Sequence, residues 1–293
     1  MANRVWDIVT LLASYACLTL SFFVFVLGAM SAASARASLP PAPRRVVSMN
    51  LCTDQLAMLL AAPGQLYSVS YLAGRADSSV LATEARAYVR NHGLAEEIFL
   101  MKPDLILVGS YNNPATVILL KRLGFRVVTF LPANTFEDIA KNVTQMGELL
   151  GRRRAAAVAV AEMERELAGW SAEDKRRAVA ALYYANSYTS GRNTLASEIV
   201  NRAGLENLGD RLGFNGTTRL PLELVVTGEP DFLVKGQSDG PSDGPSNAVL
   251  EHPALSATTP SRALVADRYW ICGAPFTVEA VRRLARAKKA AVP

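Results

Sequence analysis

Pro103-Asp104-Leu105-Ile106-Leu107-Val108, the segment Asn112-Asn113-Pro114 to Leu123-Gly124, and Arg126-Val127-Val128-Thr129-Phe130 follow one another closely, and their order decides the fold. Leu105 to Val108 is continuously apolar rather than alternating, the pattern of a strand covered on both faces. Asn113-Pro114 opens a helix, because proline at the first helical position forgoes an N–H that would have no partner there. Gly124 closes that helix, and Arg126–Phe130 returns as a second strand. Strand, helix and buried strand in this order predict a parallel α/β sheet.

Working outward, Arg45-Val46-Val47-Ser48-Met49 is a further short strand, Thr53 to Ala62 has helical spacing, and Pro63-Gly64 stops it. Tyr67-Ser68-Val69-Ser70 is strand-like. Downstream, Phe136, Ile139, Val143, Met146 and Leu150 recur at spacings of three and four, with Thr135 and Asp138 placed to cap the start. Gly151 interrupts, and Val160, Met163, Leu167 and Trp170 resume the period. The second half repeats the grammar: a strand over Ala178–Tyr184, a helix from Thr194 to Ala203 stopped by Gly204, a strand over Asp231–Val234, and a last strand over Arg268–Ile271. Thr277 caps a basic C-terminal helix. The expected class is α/β, with two lobes that each carry a mainly parallel sheet flanked by helices, joined by a single long helix. Residues 38–133 form the first lobe, 134–173 the link and 174–293 the second lobe. Gly236 to Asn247 holds the tandem Ser238-Asp239-Gly240-Pro241 and Ser242-Asp243-Gly244-Pro245, a composition that reads as a solvent loop.

The two halves share a detail. Glu96 stands seven residues before Pro103-Asp104, and Glu223 stands seven residues before Pro230-Asp231. Each acid opens an apolar helix that leads through a Pro-Asp corner into a buried strand. A carboxylate at this place complements a helix N-terminus. The repetition also puts one acid at an equivalent position on each lobe.

Arg4 precedes an apolar run from Ile8 to Met30, and small residues follow from Ser31 to Ala37. Residues 1–37 fit an export signal cut at Ala33-Ser34-Ala35 or Ala35-Arg36-Ala37. The run is also long enough to be an uncleaved anchor. Either reading exports the body, to the periplasm. Of 3 cysteines, Cys17 lies within that run, so Cys52 and Cys272 belong to the body. In an oxidising compartment the pair suits one disulfide; two free thiols are the other reading.

Half the residues are hydrophobic, enough for one large core or two lobes. The charge of +5 is scattered, apart from Arg152–Arg154 and Arg282–Lys289, and no nucleic-acid module accompanies it. There is no phosphate-loop signature and no His-Glu-x-x-His, and 2 histidines make a poor zinc site. Catalysis is therefore not expected, and neither is a resident cofactor or a bare metal site.

Arg45 to Leu56, Glu96 to Leu107 and Leu123 to Val128 resemble the helical-backbone class of periplasmic binding proteins, which includes vitamin B12-binding and ferric-hydroxamate-binding proteins. Tyr188 to Thr194, Ala203 to Asn207, Leu222-Glu223-Leu224 with Pro230-Asp231, and His252 to Leu255 continue the likeness in the same order. The resemblance implies a monomer that holds a metal chelate (ferric siderophore, haem or a corrinoid) between two lobes. Its partner would be the transmembrane permease dimer of an ABC importer. One acid per lobe docks on that permease, and by position these match Glu96 and Glu223. The class implies ligand contacts from aromatic and polar groups at strand ends: Tyr71, Asn91, His92, Tyr111, Asn112, Tyr188 and Trp270, the last equally suited to the core. Gly109 stands where the vitamin B12 binders carry a cleft tryptophan. A membrane-anchored sensor on the same fold is the alternative, which the long apolar N-terminus would suit.

Overall fold

The computed structural model describes residues 41–170, 177–237, 250, 252–258 and 261–291. Residues 1–37, expected to be an export signal or anchor, and the whole Ser-Asp-Gly-Pro tandem lie outside these. From Ala42 onward the chain forms one compact unit.

The first lobe is built on five strands: β1 (Val46–Ser48), β2 (Leu66–Ser70), β3 (Val89–Asn91), β4 (Leu105–Gly109) and β5 (Val127–Phe130). They pair in the order β3-β2-β1-β4-β5, every pair parallel. Helices α1 (Leu51–Leu60), α2 (Ala95–Leu100) and α3 (Pro114–Arg122) connect them. The apolar part of β4, Leu105 to Val108, is buried throughout, as its unbroken hydrophobicity requires, and β1 is buried too, its Ser48 hydroxyl hydrogen-bonded to Thr53. Asn50 caps α1 by accepting from the Cys52 N–H, and Asn113 caps α3 by accepting from Ala115 and Thr116.

The expected single linking helix is two helices, α4 (Phe136–Leu149) and α5 (Arg153–Ala168). The apolar period runs through both, but Gly151 breaks the backbone with a φ of 69°. Gly147 lets the two helices touch: a Cβ there would lie 2.3 Å from the Cβ of Ala156. Gln65 fastens the corner, donating from Nε2 to the carbonyls of Leu150 and Pro43. The capping box at Thr135 and Asp138 is present as expected.

The second lobe carries β6 (Val179–Tyr183), β8 (Glu206–Asn207), β10 (Phe232–Gln237) and β11 (Ser261–Ala266), in the parallel order β11-β10-β6-β8. β7 (Tyr188–Ser190) and β9 (Thr217–Arg219) form a separate antiparallel pair. The helices are α6 (Leu195–Arg202), α7 (Leu208–Arg211), α8 (Leu222–Thr227), α9 (Pro253–Thr258) and α10 (Val278–Ala291). Two expectations are corrected here. The last strand is Ser261–Ala266, which finds a full parallel partner in β10, whereas Asp267–Tyr269 is a 3-10 turn. The loop expected from Gly236 begins later, since Gly236 and Gln237 still pair with β11.

The internal repeat has a physical basis. Lys102 and Glu229, the residues before each Pro-Asp corner, both hold positive φ, 49° and 44°. Asp104 then accepts from the Arg44 and Arg45 N–H groups at 2.6 and 2.9 Å, clamping the chain as it enters β1. Asp231 accepts from the Val179 N–H at 2.8 Å and clamps the entry to β6. Each lobe thus fastens its first central strand through the same corner, and each corner follows a helix whose first turn bears Glu96 or Glu223.

Candidate functional site

In the first sheet the chain runs from β1 outward through β2 to β3, then returns to the other side of β1 for β4 and β5. The carboxyl ends of β1 and β4 therefore flank a topological switch point, where open α/β sheets place ligands. A cavity of about 330 Å³ opens there. Its wall is made by Asn50 to Thr53 after β1, Gly109 to Tyr111 from the end of β4, Phe130 to Ala133 from the end of β5 toward the connector, and Ile271 to Gly273 from the second lobe. The cavity therefore lies between the lobes, at the edge where they are joined. Its described lining carries no charged side chain and is mostly apolar, the character of a small-molecule site.

Gly109 is explained by its neighbour. A Cβ there would fall 2.8 Å from the Asn50 side-chain amide, the group that caps α1. A tryptophan at this position would displace the cap.

The structure sorts the expected ligand residues. Tyr71, in the 3-10 turn Tyr71–Gly74 after β2, and His92, after β3, stack with ring centroids 5.5 Å apart and planes 21° apart. Glu97, in the first turn of α2, accepts from the His92 backbone N–H at 2.8 Å and lies 3.0 Å from Nδ1. These contacts, the backbone one foremost, hold the Glu97 carboxyl below its ordinary range. An ionised carboxylate only accepts, so Nδ1 carries the proton of this contact, and Nε2 is the ring nitrogen that Glu97 does not engage. Tyr111 is 87% exposed at the cavity rim. Tyr188 projects from β7 on the second lobe with the Arg219 guanidinium 5.8 Å from its ring centre.

Three others serve the scaffold. Asn91 is fully buried; its amide donates to the Ser48 carbonyl and to Ser68 Oγ, tying three strands together. Asn112 accepts from the Gly109 N–H and donates to the Met49 carbonyl, tying the loop after β4 to the end of β1. Trp270 is buried, edge-on to Tyr184. Glu96 and Glu223 are exposed, and neither carboxylate is ion-paired among the described residues.

Cys52 and Cys272 form a disulfide, and both line the cavity. Asp54, one turn into α1, is completely buried. Its Oδ2 accepts from Ser70 N and Oγ at 3.2 and 2.5 Å, while Oδ1 has no partner. Burial pushes this carboxyl up to about 7, against the pull of the serine hydrogen bonds.

The family model for periplasmic binding proteins matches residues 46–262, from β1 to the start of β11. The chain belongs to the periplasmic binding protein family. Over 218 residues this binding protein is 22% identical to the vitamin B12-binding protein of Vibrio parahaemolyticus, covering 67% of this chain and 77% of that one. Among solved structures, it is similar to the apo periplasmic heme-binding protein RhuT from Roseiflexus sp. RS-1, with a TM-score of 0.71, 20% identity and coverage of 85% and 99%. It is also similar to the periplasmic heme-binding protein HutB of Vibrio cholerae, with a TM-score of 0.70, 17% identity and coverage of 85% and 99%. The fold is thus that of a substrate-binding protein, not of an enzyme.

Proposed function

We propose that this binding protein captures a tetrapyrrole-type metal chelate, haem or a corrinoid, and delivers it to the permease of an ABC importer. The observation that carries this reading is the Tyr71–His92 stack with Glu97 behind it. A carboxylate on Nδ1 fixes ring and tautomer and leaves Nε2 as a lone-pair donor, which is how imidazoles are prepared for a metal. Beside it, the Tyr71 ring offers a flat apolar face, and the neutral cavity accommodates part of a large apolar ligand. Relatives named for heme and vitamin B12 support the same class. Glu96 and Glu223, exposed at equivalent corners, suit charge-assisted pairing with permease arginines.

The test is an absorption titration with haem, comparing the protein with its His92→Ala variant. The reading expects a saturable shift of the haem band in the parent, and a changed band position or at least tenfold weaker binding in the variant. Identical titrations would remove His92 from the site.

A further inference from the structure

Cys52 lies in the first turn of α1 in the first lobe, with its N–H held by Asn50. Cys272 lies in the second-lobe loop between β11 and α10, 220 residues away in sequence. That loop is anchored on its own lobe: Thr277 Oγ1 donates to the Cys272 carbonyl and accepts from the Ala274 N–H, and Trp270 is buried against Tyr184. It also presses on the connector, since a Cβ at Gly273 would lie 2.6 Å from the Cβ of Ala133. The main chain crosses between the lobes through the connector; the disulfide is a second covalent crossing, in the wall of the same cavity.

We propose that this disulfide is a redox-releasable latch that sets the separation of the two lobes. Bodies joined by a single crossing, even a helical one, can bend about it in more than one direction. A second covalent joint at the same edge confines them to opening along the side away from the bond. With the latch closed, the cleft is preorganised at a fixed width, which lowers the ordering cost of capture. A small dithiol opens it by exchange. One thiolate attacks a cystine sulfur to give a mixed disulfide, and its second thiol then closes the reductant's own disulfide, leaving Cys52 and Cys272 as thiols. Cys272 is 1% exposed and Cys52 only half-buried, so the attack comes through Cys52. Released, the lobes sample a wider range of openings.

The test needs no ligand and so stands or falls apart from the choice of cargo. Donor and acceptor dyes are placed through non-natural side chains at Leu119, on α3 of the first lobe, and Leu212, just after α7 of the second, both of which are exposed. Single-molecule energy transfer is recorded on the oxidised protein, on protein reduced with dithiothreitol, and on the Cys52→Ser, Cys272→Ser double variant. The expected result is one narrow distribution when oxidised and a distribution at least twice as broad in the other two. Because reduction is performed on folded protein, misfolding of the double variant would leave that arm intact. Unchanged distributions, with two free thiols per chain confirmed by titration, would overturn the proposal.

Discussion

Replacing Asp54 with Asn should make the chain's stability less dependent on pH, and the structure supplies the size of the effect. Asp54 is fully buried with one oxygen unpartnered, and its folded value is about 7 against 3.8 in the unfolded chain. Between these values the folded state holds a proton that the unfolded state has released, so stability falls as pH rises. The contribution is fully present below about pH 4 and is lost as pH passes through about 7. At about 1.4 kcal/mol for each pH unit, the total comes to about 4 kcal/mol. Asn fits the same space and accepts both Ser70 hydrogen bonds without titrating. Urea unfolding of both proteins at intervals from pH 4 to pH 8 measures the difference at constant m-value. The variant should gain on the parent by about 4 kcal/mol across that range, most of it below pH 7. Parallel stability curves would refute the claim that burial, rather than the Ser70 hydrogen bonds, governs this carboxyl.

Three further outcomes are expected. The Glu96→Ala, Glu223→Ala double variant should lose uptake in cells while its chelate affinity stays unchanged, as uptake and equilibrium binding assays would show; normal uptake would remove the docking role. Gly109→Ala should cost about 1 kcal/mol or more by dislodging the Asn50 cap, and Asn50→Gly in the same chain should recover most of it, as denaturant midpoints would record. Asp231→Ala should strip the Val179 N–H of its acceptor at the entry to β6 and cost about 1–3 kcal/mol, with hydrogen exchange in Val179–Tyr183 rising to match.

Much of the first lobe is legible in the sequence because β4 is an unbroken apolar run and β1 and β2 are short apolar-rich strands, set between clear punctuation at Pro63-Gly64, Pro103 and Gly124. The last strand is harder. Ser261–Ala266 carries Arg262, whereas Tyr269-Trp270-Ile271 attracts attention by its bulk although it occupies a turn and the loop after it. The linking helix misleads for a related reason: the same apolar period runs through α4 and α5, and only Gly147 and Gly151 signal that the chain bends and packs on itself. Among the candidate ligand residues, Tyr71, His92 and Tyr111 are legible as strand-end residues. Asn91 occupies the same kind of position but faces inward, a distinction of one residue in strand register. The Cys52–Cys272 pairing is settled by tertiary structure, since 220 residues separate the two. Spacing can also deceive. Gly236-Gln237-Ser238-Asp239-Gly240 matches the Gly-x-Ser-x-Gly pattern of a hydrolase elbow, a match that the Ser-Asp-Gly-Pro repetition produces by composition. Both histidines are engaged elsewhere, His92 with Glu97 and His252 as acceptor from the Ala254 N–H.

The measurement that tests the central claim most directly is a ligand panel read by intrinsic fluorescence, since Trp270 is buried next to the cavity-lining Ile271 and Cys272. Cobalamin, cobinamide, haem, ferric hydroxamates and ferric citrate would each be titrated into the folded protein. A tetrapyrrole should quench saturably, with a Kd of about 1 μM or tighter. Quenching by a hydroxamate or citrate complex alone, or by no member of the panel, would contradict it.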